Sequence, residues 1–371
     1  MKTKKPVSLI LNDGHVFHGF SFGFEKTVSG EVVFNTAMMG YPESLTDPSY
    51  SGQILTMTYP LVGNYGVPEA SCDAEGISRF FESDRIHVRA LIVSDYSEEY
   101  SHWNATRSLA DWLKDEQVVG IEGIDTRELT KVLREHGVLL GKIVFDDDPS
   151  LEEEIRNATD ASRYDDPNKV NQVAIVSTPE KRVFGTGSKK VCLVDCGVKL
   201  NIIRCLLKYD VTVTLVPWDN DFNADGPDAY DGLFISNGPG DPNFCGKTVD
   251  HIREFMKTGK PIYGICMGNQ LLSLAAGAKV SKLKYGHRGH NQPVRRVGTN
   301  QCFITSQNHG FAVENDTIPA GWEPLFINMN DGTNEGIHNL EHPWFSAQFH
   351  PEASSGPTDT EFIFGEFFNL L

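Results

Sequence analysis

The sequence predicts an α/β protein, with a doubly wound, mainly parallel sheet in the C-terminal half and a mixed α/β domain before it. Three observations carry this. From Lys190 onward, short apolar runs alternate with amphipathic stretches at helical spacing, the pattern of βαβ units. Toward the N-terminus, apolar runs flank the turn Asn12-Asp13-Gly14, a hairpin signal because these residues accept positive φ. Between the two, residues from about Asp146 to Lys190 are rich in Asp, Glu, Ser, Asn and Gly and lack regular periodicity. The expected organisation is therefore an N-terminal domain over 1–150, a linker over 151–189 and a C-terminal domain over 190–371.

Taken in order, Val7 to Leu11 and His15 to Phe20 form the predicted hairpin, and Glu31 to Met38, Gln53 to Met57 and Val88 to Ser94 are further strands. Thr106 to Glu116 carries Leu109, Trp112 and Leu113 at helical spacing. Asp125 to His136 opens on the capping pair Asp125 and Glu128 and is stopped by Gly137. In the second half, strands are predicted at Lys190 to Asp195, Val211 to Val216, Gly232 to Ser236 and Pro261 to Ile265. Helices are predicted at Lys199 to Lys208, around Thr248 to Thr258 and near Asp359 to Leu371. No internal repeat or low-complexity tract is present.

Composition narrows the function. The net charge of −17, from 50 acidic against 33 basic residues, repels phosphate backbones and anionic membranes, so nucleic-acid binding is disfavoured. Seven cysteines, odd in number and without a C-x-x-C pair, point to reduced thiols in a reducing compartment. The start Met1-Lys2-Thr3-Lys4-Lys5 is basic, but the apolar run after it ends at Asn12, too short for a signal h-region. No stretch is long and apolar enough to span a bilayer. The cytoplasm is the simplest location, with an organellar one after removal of a transit peptide as the alternative.

Pro261-Ile262-Tyr263-Gly264-Ile265-Cys266-Met267-Gly268-Asn269-Gln270 is the most informative stretch. An apolar strand runs into a cysteine flanked by glycines, and a helix follows. Such a turn forces the central residue into a strained backbone, and Gly264 and Gly268 remove side chains that would collide. Unpaired N–H groups at the helix start favour an anion there. By residue type alone a cysteine at a strand end is a small core hydrophobe. The balance shifts because Phe345 to Phe349 alternates like a strand and is followed at once by His350-Pro351-Glu352. In open α/β sheets catalytic groups gather beyond the carboxyl ends of the strands. Cys266, His350 and Glu352 together supply a nucleophile, a base and a carboxylate to orient the base.

Ser236-Asn237-Gly238-Pro239-Gly240-Asp241-Pro242 follows a strand, and its bland reading is a plain βα turn. Its functional reading is a row of backbone N–H groups completing an oxyanion hole with the amide of Met267. It lacks the third glycine of a dinucleotide fingerprint, and there is no Walker A sequence, so neither a nicotinamide nor an ATP site is expected. His15 with His18, and His287 with His290, show H-x-x-H spacing in predicted turns or loops. Neither pair has a Glu or Cys arranged as in known zinc motifs, and structural or solvated histidines are the expected reading. No metal is expected.

Gly264 to Gln270, His350-Pro351-Glu352 and Asn237 to Pro242 together resemble the class I (triad) glutamine amidotransferases. Asp47 to Gln53, Gly123 to Arg127, Asp195-Cys196-Gly197-Val198-Lys199 and Gln307 to Val313 resemble, within that class, the small glutamine-hydrolysing chain of carbamoyl-phosphate synthetase. The likeness spans nearly the whole chain. It implies a class I amidotransferase-like fold for the second domain. It further implies that Cys266 attacks the glutamine side-chain amide, that His350 shuttles protons and that Glu352 orients it. Amides of Gly238 and Met267 would stabilise the oxyanion, and Ser51, Gly240, Gln270, Asn308, Gly310 and Phe311 would hold glutamine. Ammonia would pass to a large synthetase subunit or fused synthetase domain, which would carry the ATP and Mg that this chain lacks and make carbamoyl phosphate for arginine, pyrimidine or urea synthesis.

Met267 and Asn269 stand where many relatives carry Leu and His, a form resembling the fused eukaryotic synthetases, some of which have lost the nucleophile to Ser. Cys266 is retained here, so glutaminase activity is expected. An excised amidotransferase region of a longer polypeptide is compatible with the sequence. Two other readings stand beside the leading one: an amidotransferase of another synthase, and a regulatory or docking module in which the triad is idle or weakly active.

Overall fold

The computed structural model describes residues 4–371, so Met1-Lys2-Thr3 of the basic start lie outside the described residues. Backbone packing resolves two units. One comprises the chain up to Ser71 together with Ser78–Val170, and the other Cys72–Ile77 together with Asn171–Leu371.

Seven strands of the first unit close into a barrel: β1 (Pro6–Leu11), β2 (Val16–Ser21), β3 (Val28–Asn35), β4 (Gln53–Met57), β5 (Ala90–Ile92), β6 (Val119–Glu122) and β7 (Leu139–Phe145). The order around the barrel is β1-β7-β3-β4-β5-β6-β2. β3, β4, β5 and β6 run parallel, and antiparallel pairs complete the ring. The hairpin about Asn12-Asp13-Gly14 is present as β1 and β2. The helix predicted from Thr106 begins instead at Leu109: Ala105–Arg107 pairs with Val67–Pro68 as a short ladder. Ser108 then caps α2 (Leu109–Asp115), its Oγ accepting from the Asp111 N–H at 3.0 Å. After α1 (Tyr41–Thr46) and α2, α3 (Thr126–His136) opens on the predicted cap, with the Asp125 carboxylate 2.9 Å from the Glu128 N–H, and ends at Gly137.

The acid-rich stretch after residue 146 is not structureless. Its charges fold α4 (Leu151–Arg156), where Glu154 pairs with Lys142 at 2.9 Å and with Arg163 at 3.0 Å. α5 (Gln172–Val176) and β8 (Arg182–Phe184) follow and belong to the second unit.

That unit is built on one ten-stranded sheet. Its remaining strands are β9 (Lys189–Asp195), β10 (Val211–Pro217), β11 (Gly232–Ile235), β12 (Ile262–Ile265), β13 (Val280–Arg296), β14 (Cys302–Val313), β15 (Trp322–Asn328), β16 (Asn334–Asn339) and β17 (Trp344–Ala347), in the order β8-β10-β9-β11-β12-β17-β16-β15-β13-β14. β10, β9, β11, β12 and β17 are the parallel, doubly wound core. α6 (Leu200–Leu206) and α9 (Phe362–Phe368) pack with Phe234, Tyr263 and Ile265 on one face. α7 (Gly246–Met256) and α8 (Met267–Ala276) pack with Leu233, Ile235 and Ile262 on the other. Beyond β17 the sheet continues antiparallel, ending in the long hairpin β13–β14, whose register shifts between Lys282 and His287 and again between Gly289 and Gln292. Periodicity does not announce this hairpin, because β13 is polar and half-exposed over much of its length and the middle of β14 buries polar residues.

Candidate active site

β12 ends at Ile265 and α8 begins at Met267, so Cys266 alone makes the turn. Its backbone sits at φ 54°, ψ −101°, a conformation costing a side-chain-bearing residue about 1–3 kcal/mol. The surroundings hold it there. The Cys266 N–H donates to the Ala347 carbonyl at 2.8 Å, and its own carbonyl accepts from Gln270 at 3.2 Å. A Cβ on Gly264 would lie 2.4 Å from the Gly268 carbonyl oxygen, and one on Gly268 would lie 2.2 Å from that of Ile235. Only glycine lets strand and helix close this tightly. The thiol is buried, 3.8 Å from the Asn308 carbonyl oxygen.

His350 reaches the same place by register. β17 runs parallel to β12 with Ala347 opposite Ile265, so both strands deliver their next residues to one end of the sheet. The His350 N–H then donates to the Ser306 carbonyl at 2.9 Å, fixing the chain against β14. Nδ1 of His350 lies 2.6 Å from Oε1 of Glu352, which leaves Nε2 for the thiol. Among the described residues no other hydrogen bond claims that buried nitrogen. Burial opposes the imidazolium, but the Glu352 charge and the nearby Cys266 thiol together raise the His350 pKa above its ordinary value. Burial likewise opposes the Glu352 carboxylate, and Lys199 and His350 outweigh it and hold the carboxyl below its usual range.

Lys199 is the member that sequence reasoning missed. Its Nζ lies 3.0 Å from Oε1 of Glu352 and 2.7 Å from the Ala353 carbonyl, with both charged side chains buried. It keeps Glu352 ionised in a dry site, so that the carboxylate can orient His350. A signal existed. Lys199 caps the N-terminus of α6, where the helix dipole disfavours a cation, and a cation placed there invites a search for its anion.

The loop after β11 carries Gly238 and Gly240. β11 lies beside β12 with Ile235 opposite Gly264, so the loop leaves the sheet next to the Cys266 turn. It is tied to the β9–α6 turn by the Cys196 N–H donating to Ser236 Oγ at 2.9 Å and the Lys199 N–H donating to Asn237 Oδ1 at 3.0 Å. Met267 is fully packed in the core, so its contribution to chemistry is confined to its backbone. Asn308, Gly310 and Phe311 lie on β14, and Gln270 joins them by donating from Nε2 to the Phe311 carbonyl at 3.0 Å. Asn269 turns inward, donating to Gln348 Oε1 at 2.9 Å and accepting from Ser346 Oγ at 2.7 Å. It braces α8 against β17. Ser51 belongs to the first unit, where its N–H donates to the Pro48 carbonyl at 2.9 Å just before β4.

The histidine pairs separate. His15 lies 2.9 Å from Asp13, and His18 lies 3.0 Å from Ser8 Oγ. His287 and His290, expected in a loop, lie within β13. His290 is driven down to about 4 by burial, with Lys199 and His350 adding to the effect. His287 finds a carboxylate partner far along the chain, Glu335.

A family model described as glutamine amidotransferase class-I matches residues 192–370, and one described as carbamoyl-phosphate synthase small chain, CPSase domain, matches residues 9–143. The multifunctional protein CAD of Squalus acanthias is 51% identical over 365 residues, covering 97% of this chain and 16% of that protein. The mitochondrial carbamoyl-phosphate synthase (ammonia) of Mus musculus is 47% identical over 371 residues, covering 99% and 24%. The chain thus spans about a sixth to a quarter of the length of these relatives. Among solved structures, a glutamine amidotransferase from Thermotoga maritima aligns with a TM-score of 0.38 at 19% identity, over 45% of this chain and 77% of that one.

Proposed function

The chain belongs to the family that joins a carbamoyl-phosphate synthase small-chain domain to a class-I glutamine amidotransferase domain, and from that premise we propose that it hydrolyses glutamine to glutamate and ammonia. The observation that carries this reading is the buried His350–Glu352 pair set at the end of β17 beside the strained Cys266 turn. His350 takes the thiol proton, and the Cys266 sulfur attacks the side-chain amide carbon. The tetrahedral oxyanion is received by amides of Gly238 and Met267, each such donor worth roughly 3–4 kcal/mol in comparable sites. As the C–N bond breaks, His350 returns its proton to the leaving nitrogen and ammonia departs, leaving a γ-glutamyl thioester. His350 then deprotonates a water that displaces the sulfur and releases glutamate. Gly240, Gln270, Asn308, Gly310 and Phe311 hold the substrate.

Free ammonia is protonated in neutral water and loses its nucleophilicity. The reading therefore includes transfer through a protected path to a large synthetase component, subunit or fused domain, which binds ATP and Mg and makes carbamoyl phosphate. This chain needs no cofactor for its own half-reaction. Among the described residues, no helix is long and apolar enough to cross a membrane. We place this activity in a reducing compartment such as the cytoplasm, on the ground of seven cysteines, odd in number and without a C-x-x-C pair.

The decisive experiment measures steady-state glutamate release by the chain together with its synthetase partner, with Cys266→Ala as control. Release that depends on Cys266 is expected. Equal release from both proteins would overturn the catalytic reading in favour of a docking role.

A further inference from the structure

Consecutive side chains of a strand point to opposite faces. On β14 this puts half-buried Asn308 and Gly310 on one side and buried His309 on the other. His309 meets His287 of β13 directly across the ladder, the two rings 5.0 Å apart and nearly perpendicular at 85°. Glu335 of β16 reaches the same point, and donor atoms from all three residues lie within 4.8 Å of one another. We infer that His287, His309 and Glu335 form a binding site for one divalent cation of the zinc class.

The hydrogen bonds determine which atoms face the site. Nε2 of His287 lies 2.8 Å from Oδ2 of Asp331, and Nδ1 of His309 lies 2.9 Å from the Phe311 carbonyl oxygen. Each outer nitrogen therefore carries its proton toward an oxygen. That leaves Nδ1 of His287 and Nε2 of His309 as lone pairs aimed inward, 3.6 Å and 3.9 Å from Oε1 of Glu335, with the Asn328 amide nitrogen 3.5 Å from the first. An imidazole whose far nitrogen is bound by a carboxylate or a backbone carbonyl is the usual setting of a metal-ligating histidine.

The interior is also short of donors. Oε1 of Gln307 sits 3.3 Å from Nε2 of His309, adding another acceptor, whereas Asn328 Nδ2 donates to Oε1 of Glu335 at 3.0 Å. Oε2 of Glu335, fully buried, has no hydrogen-bond partner among the described residues. Burial pushes the Glu335 carboxyl above its ordinary range, so a carboxylate among these lone pairs is relieved either by a bound cation or by a proton. Two imidazole nitrogens and a carboxylate suit zinc, whose bonds of about 2.0–2.2 Å place tetrahedral ligands about 3.4 Å apart. Glu335 is already near that spacing from both rings. The competing occupant is a proton: burial works against a cationic His287, but Glu335 and Asp331 together raise its pKa. The site lies behind the strand that carries Asn308 and Gly310 and shares no residue with the triad, so absence of metal there leaves the glutaminase reading untouched.

The test uses the full chain carrying Cys72→Ser and Cys302→Ser, because those two thiols are exposed and bind zinc adventitiously. After chelator treatment and desalting, Zn²⁺ is titrated in and bound metal counted, and Co²⁺ is added separately to read the visible bands of a four-coordinate ion. One equivalent per chain is expected. Glu335→Gln should weaken binding by about 100-fold or more and Asp331→Asn by about 10–100-fold, the range seen when an outer partner of a ligating histidine is lost. Asp331 is half-exposed, so its variant decides the matter should Glu335→Gln fail to fold. No stoichiometric uptake, or uptake that the variants leave unchanged, would overturn the proposal and leave a proton shared by His287 and Glu335 as the occupant.

Discussion

His87, half-buried in the first unit, and His350, buried in the second, are held in opposite states. His87, in the barrel unit, is pushed down to about 4 by burial, reinforced by the neighbouring Arg85. His350, in the sheet unit, is at least as buried and is pushed up, because Glu352 touches it and Lys199 keeps Glu352 ionised. Burial alone predicts His87, as it does His290 of the sheet unit, and fails for His350. What decides is whether a carboxylate is built into contact and kept charged by a further cation. The barrel closes its strands on one another, whereas the open sheet leaves strand ends at which such chains of charge can be assembled.

The contrast is tested most strongly at the carboxylate. Glu352→Gln keeps the shape but removes the charge, and kcat for glutamate release should fall by roughly 10²–10⁴. Lys199→Met should do similar harm by a different route. It strands Glu352 as a buried anion, a loss of about 3–5 kcal/mol for breaking such a pair, so the thermal midpoint falls together with activity. A Lys199→Met protein as stable as the parent would show that Glu352 takes up a proton without cost.

Gly268→Ala comes next. Its new Cβ meets the Ile235 carbonyl oxygen at 2.2 Å, so strand or helix must shift. We expect about 1–3 kcal/mol of lost stability in chemical denaturation and a fall in kcat out of proportion to it, because the shift displaces Cys266.

The pH response separates His87 from His350 by sign. His87 has a folded pKa below its unfolded value of about 6.5, so the unfolded chain binds more protons between about pH 6.5 and 4. The barrel should lose about 1–3 kcal/mol on acidification through that window, and His87→Gln should flatten the loss. His350, with its folded pKa raised, contributes stability that is complete below about 6.5 and is lost only as the pH climbs toward its folded value. Denaturation midpoints measured at several pH values in both backgrounds would reveal the opposite slopes. The smallest expected effect is Ser108→Ala, which removes the cap of α2 and should cost about 1 kcal/mol without altering glutamate release.

What could be read from the sequence was local. A strand running into Gly-Ile-Cys-Met-Gly and a strand running into His-Pro-Glu each declare themselves within ten residues, and parallel pairing brings the two ends together. The βαβ alternation gave the core of the sheet for the same reason. Lys199, Glu335 and the β13–β14 hairpin stayed hidden because their meaning lies in partners far along the chain. Lys199 looks like a solvated lysine until Glu352 is placed, and a polar strand looks like a loop until its neighbour supplies the ladder. Asn269 was visible as a departure, but its inward bonds to Gln348 and Ser346 required the fold.

Residues 72–77 separate from the chain around them and pack with the second unit, where Ile77 enters the same apolar cluster as Phe184 and Val211, and Glu75 accepts from the Gly185 N–H at 3.1 Å. A ribosome releases this hexapeptide long before it makes the sheet that receives it. The first unit must therefore fold around a loop whose apolar residue waits in solvent, and the sheet unit finishes its core only by capturing a segment made earlier. A fragment beginning at residue 171 would lack that segment and should expose the apolar surface that Ile77 covers.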